Sequence, residues 1–133
     1  MKQLTVLLFL FMGIICSCGS DDSDMNEMSM IESDKIYQGN FVSVAHPTSG
    51  TASTNKERTM LAFKNFKTDK GPKLDVYLAK ESDPKNYINL GELKGIEGDF
   101  TYDLPANLNL TEYKFVVIWC VEFSVSFGHA ELK

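Results

Sequence analysis

The chain has 133 residues, 44% of them hydrophobic, with 18 acidic against 13 basic side chains and a formal charge of −5. That length holds one modest domain rather than several. The acidic balance offers no basic patch of the kind that nucleic-acid binding needs. The first element in chain order is "MKQLTVLLFLFMGIICSC", with one early lysine, an apolar run from Leu4 to Ile15, then small residues and cysteine. This is the three-part layout of a secretory signal, and its apolar stretch is too short for a stable membrane span. The ending resembles a bacterial lipoprotein signal, cleaved just before a cysteine that then carries acyl chains. Ser17 before Cys18 suits such cleavage, whereas the branched Ile15 before Cys16 does not. Residues 1–17 are therefore read as signal peptide and Cys18 as the lipidated residue, anchoring the protein to a membrane of the bacterial cell envelope, at the outer membrane or cell surface.

Residues 18–35 follow as an acidic tether, "CGSDDSDMNEMSMIESDK". The stretch has no aromatic side chain and no regular apolar spacing, so it buries too little to offset the entropy of ordering the chain. Ser20-Asp21-Asp22 resembles the acidic export signals of surface lipoproteins in the Bacteroidetes group. Met25, Met28 and Met30 could suggest soft-metal capture, but a spacer is the plainer reading. Six of the acids lie in this tether, which leaves twelve acids against twelve bases from Lys35 onward. The folded part is thus neutral.

Residues 36–133 read as one all-β domain and as a monomer. Short apolar runs ("YQGNFVSV", "RTMLAFKNF", "KLDVYLA", "YINLGEL", "DFTYDL", "EYKFVVIW", "EFSVSF", "HAEL") are separated at about ten-residue intervals by Gly, Pro, Asn and Asp. The segment "HPTSGT" breaks the first run. Seven to eight short strands at this spacing predict an antiparallel β-sandwich or barrel. In the C-terminal run Val117, Trp119, Val121, Phe123, Val125 and Phe127 are all apolar. The alternate set begins with Val116 and Ile118, then turns polar at Glu122, Ser124 and Ser126. Side chains alternate across a strand. This parity predicts one face held in the core throughout, with Cys120 at the point where the other face passes from buried to wet.

Cys120 is the one cysteine outside the N-terminal segment, and once Cys18 is acylated it has no partner for a disulfide. A nucleophilic thiolate needs a nearby cation, helix N-terminus or metal. Its same-face neighbour Glu122, about 7 Å along a strand, opposes ionisation. His129 would supply a Cys–His pair if the last strand folds back beside it. Cys120, His46, His129 and Met60 are the soft or borderline ligands, and none has zinc-site spacing; haem needs only one or two axial ligands from distant strands. The plain alternative is a buried cysteine acting as a small hydrophobe. Hydrolase, metalloprotease and phosphate-loop motifs are absent, the acids are too scattered for a glycosidase pair, and Asn109-Leu110-Thr111 is an incidental glycosylation triplet. No catalytic or metal site is assigned, and the protein is read as a non-enzyme.

Four stretches together resemble the DM-thirteen domain, a small β domain described as an electron-transfer module. They are "GNFVSVAHPTSGTA", "MLAFKNFKTDKGPKLDVYLA", "INLGELKGIEGDFTYDLP" and "FVVIWCVEFSVSFGHAEL", running from Gly39 to Leu132. The resemblance implies a redox role centred on one cysteine, as free thiol or as ligand to a group such as haem, and the motif puts that cysteine at Cys120. Trp119 and His129 are its candidate neighbours, and a redox partner is implied. The family's frequent companion, a DOMON domain, has no counterpart in these 133 residues. The competing expectation is a non-catalytic module binding a glycan, haem or partner protein through loops such as His46 to Thr54.

Overall fold

A computed structural model describes residues 35–133. The signal segment, Cys16, Cys18 and the tether methionines lie outside the described residues. Eight strands follow in order: β1 (Gln38–Ser43), β2 (Ser49–Thr54), β3 (Met60–Lys67), β4 (Leu74–Ala79), β5 (Tyr87–Glu92), β6 (Glu97–Asp103), β7 (Phe115–Cys120) and β8 (Val125–Glu131). They form one antiparallel sheet in the order β5-β4-β7-β8-β1-β2-β3-β6. The two edge strands, β5 and β6, approach each other without a ladder, so the sheet curls into a nearly closed barrel. All-β architecture and strand number agree with the spacing of the apolar runs.

The interior is packed with large side chains from every part of the sheet. Phe63, Phe66, Leu61, Leu78, Ile118, Val76 and Val116 are almost wholly sealed. Phe41 meets Phe63 edge-on at 5.0 Å and Phe66 at 5.1 Å, a preferred arrangement for ring quadrupoles. Leu104 and Leu110 join the same cluster from the β6–β7 connection. With no disulfide among the described residues, this burial holds the domain together.

Two local expectations give way. The segment around "HPTSGT" is half strand: Ser49–Thr54 is β2, paired on both sides to β1 and β3. Its pattern is faint because only Ala52 and Thr54 are buried, among polar neighbours. The runs "EFSVSF" and "HAEL" are likewise a turn followed by a single strand, β8.

The parity of β7 is also the reverse of the expected one. Val116, Ile118 and Cys120 point into the barrel, while Phe115, Val117 and Trp119 lie outside with Tyr77 and Ala79 of β4. Both faces of β7 are apolar, so alternation alone could not tell inside from outside. A bulge then shifts the phase: Ile118 pairs with Gly128 and Trp119 with Ser126, leaving Phe127 as the extra residue. The extra residue lets Phe127 and, further on, Ala130 both join the core.

Candidate functional site

Cys120 ends β7 with its side chain in the core and 0% exposure. Its neighbours across the ladders are Leu74 on β4 and Val125 on β8. The thiol makes no hydrogen bond among the described residues. The margin position expected for it is therefore not where the structure puts it: the sulfur is sealed, not at a wet edge.

Trp119 and His129 stand on the opposite face. His129 pairs across β8 with Val117 and with Val42 of β1, whose side chains face outward. Its ring meets Phe115 edge-on at 5.7 Å. No Cys120–His129 pair forms, since the sheet lies between the two side chains. Instead His129 joins Trp119 in a cleft of about 330 Å3, lined by Val44, the β4–β5 loop at Ser82 and Asp83, Ser124 of the β7–β8 turn, and Val125 and Ser126 at the start of β8. The structure thus brings two of the three redox candidates together and leaves Cys120 on the other side of the sheet.

The cleft's electrostatics follow from burial. The Nδ1 atom of His129 is buried without a hydrogen-bond partner. Desolvation lowers the imidazole's pKa, and the nearby Glu131 carboxylate only partly opposes this. The ring is accordingly neutral at pH 7. No lysine or arginine lines the cleft, and the Asp83 side chain makes no ion pair or hydrogen bond among the described residues.

A row of rings runs from the cleft across the outer face. Trp119 is stacked beside Tyr77 at 6.2 Å and 25°, and Tyr77 lies on Tyr87 at 4.0 Å and 11°. Tyr77 is 6% exposed and Tyr87 47%, so the row passes from covered to open surface. Burial first, then the hydrogen bond to Tyr87 and the charges of Tyr87 and Asp75, push the Tyr77 phenol up to about 12. Asp75 faces Trp119 across the β4–β7 ladder and is 5% exposed. Its Oδ2 accepts from Asn89 Nδ2 at 3.1 Å, and its Oδ1 has no partner.

Sequence reasoning overlooked Tyr77, Tyr87 and Asp75. The available signal was "LDVYLA", a strand buried along its whole length, whose outward set Asp75, Tyr77 and Ala79 carries the row. The other soft ligands are dispersed. His46 holds Asp69 at 2.9 Å and packs on Phe127 at 3.9 Å, and Met60 is on the surface. No three potential metal ligands cluster among the described residues. Haem does not fit the candidate ligands: Cys120 has no exposed sulfur, and His129 points away from it through the sheet.

The model of a family described as Electron transfer DM13 matches residues 40–132. No curated protein and no solved structure matches the chain.

Proposed function

The chain belongs to the Electron transfer DM13 family, and on that footing we propose a non-enzymatic electron-transfer domain, lipid-anchored through Cys18 in the bacterial envelope, that holds a small redox group over Trp119 and His129. The observation that carries the reading is the shared cleft of these two side chains, set against the complete burial of Cys120. Thiol, indole and phenol groups surrender an electron only at strongly oxidising potentials, so a bound group is the better carrier and the protein supplies its seat. The stacked row Trp119–Tyr77–Tyr87 then offers a path of overlapping rings to open surface, where a redox partner can collect the charge.

Trp119 is the only tryptophan in the chain, so intrinsic fluorescence reports on this cleft directly. Titrating the purified protein with riboflavin and with a naphthoquinone should quench the emission saturably. Linear, collision-only quenching by both would remove the reading. Anchoring is tested apart from this: Cys18→Ala should abolish acyl labelling, and unchanged labelling would move the anchor elsewhere.

A cysteine-centred version is favoured by one observation. Cys120 is the last residue of β7, directly before a turn in which Ser124 is held at φ 51° and Phe123 is 71% exposed. This version requires that opening of that turn uncover the sulfur while the rest of the barrel stays folded. Native-state thiol labelling faster than global unfolding would support this version, and labelling at the unfolding rate would exclude it.

A further inference from the structure

The chemistry of the cleft walls narrows the ligand class, an inference that rests on the reading of this cleft as a redox-group site. Trp119 and His129 supply the aromatic part of the lining. Val44 and Val125 make the sides apolar. The polar groups at the mouth are acceptors or hydroxyls: the Asp83 carboxylate, and the Ser82 and Ser124 side chains, none with a partner among the described residues. A carboxylate and hydroxyls without any lysine or arginine repel phosphorylated or carboxylated cofactors and favour ligands that donate hydrogen bonds.

We propose that the cleft binds a neutral dihydroxyarene, a hydroquinone or catechol, with its ring on Trp119 and its hydroxyls donating to Asp83 and Ser82. The volume of about 330 Å3 sits at the small end of ligand cavities and suits one ring rather than a dinucleotide. A bond from a phenolic O–H to the Asp83 carboxylate is charge-assisted, the strong kind, and the ring face on indole contributes stacking. Asp83 precedes Pro84 in the loop between β4 and β5, and its own carbonyl accepts from Lys85 N at 2.8 Å. That local turn fixes the backbone from which the carboxylate projects.

Calorimetric titration of the full chain with hydroquinone, catechol, 1,4-dimethoxybenzene, glucose and flavin mononucleotide tests this. Both diols should bind saturably, the dimethyl ether and the flavin phosphate at least tenfold more weakly, and glucose not at all. Asp83→Asn should weaken the diols tenfold or more. The variant lies in an exposed loop, so unchanged circular dichroism separates lost binding from lost fold. Equal affinity for the dimethyl ether, binding of glucose in place of the diols, or indifference to Asp83→Asn would each overturn the assignment. If naphthoquinone quenches Trp119 while the diols do not bind, the redox-group reading stands and only this ligand class fails. If no ring compound reaches Trp119, both fall.

Discussion

Trp119 and Cys120 are consecutive residues whose side chains leave β7 on opposite faces, the indole into the outer cleft and the sulfur into the sealed core. One peptide step separates the accessible candidate from the inaccessible one. Exchange with a disulfide needs direct attack by a thiolate on sulfur, which the barrel interior forbids.

The consequence for Cys120 is measurable. In the native protein a thiol reagent should modify it only at the rate of unfolding. Cys120→Ala should cost about 1 kcal/mol, the order of one lost core methylene, and leave ligand quenching of Trp119 unchanged. Cys120→Ser should cost more, roughly 1–3 kcal/mol, because it buries a hydroxyl where the sulfur has no polar partner. Equal stability of the two variants in urea would contradict this account of the site.

The sequence made the class of fold legible because turn residues recur between short apolar runs, and that rhythm survives in β3 to β7. Faces were harder. β7 is apolar on both sides since its outer side carries its own small cluster of Tyr77, Ala79 and Val117, so period-two counting had nothing to discriminate. The phase shift at Phe127 depends on one extra residue, which composition does not announce. The same shift governs where His129 points. Trp119 and His129 were legible only as neighbours of Cys120, one beside it in the chain and one across a fold-back, and their shared cleft with Asp83 arises from a loop brought over from β4, a tertiary contact with no local signature.

Two glycines with the same φ should respond differently to alanine. Gly50 and Gly91 are both at φ +112°, a region that side chains with a Cβ rarely enter. At Gly91 an added Cβ meets nothing within 4 Å, while at Gly50 it comes to 2.7 Å from the Phe66 Cα. Gly91→Ala should therefore cost only the backbone strain, about 1–3 kcal/mol. Gly50→Ala should cost more, because β3 must move away from β2. Urea midpoints of the two variants check the order, and a smaller loss for Gly50→Ala would refute the packing argument.

Alkaline pH should weaken the fold through Tyr77. Its folded pKa is raised to about 12 from an ordinary 10, so between these values the unfolded chain releases a proton that the folded chain retains. Stability is full below pH 10 and falls as pH rises to 12, by roughly 2–3 kcal/mol at the top of the window. Tyr77→Phe should flatten that fall. Asp75→Asn should bring the Tyr77 titration downward without normalising it, because burial, the largest cause, remains. Absorbance titration of tyrosinate in the two variants and the parent decides the matter; an unaltered profile in Tyr77→Phe would sink it.

Acid should act through His129 in the opposite sense. Burial lowers its folded pKa below the ordinary 6.5, with Glu131 pulling weakly the other way. As pH falls below 6.5 the unfolded chain takes up a proton that the folded chain resists, so stability is present above that value and is lost towards the lowered folded pKa. The groups around the ring explain why the protonated form is disfavoured: the Phe115 edge and the Val42 and Val117 side chains are apolar, Trp119 is a neighbour in the cleft, and Nδ1 has no acceptor. The charged groups that line clefts with the ring are Glu131, Lys133 and Asp83, and none of them bonds to it. His129→Phe removes the titrating group while keeping a flat ring beside Phe115. Its unfolding midpoint should change less between pH 7.5 and pH 5 than that of the parent, with His46→Asn added to both proteins to silence the other histidine. Parallel slopes in the two backgrounds would mean that the cleft imidazole is not what couples this fold to acid.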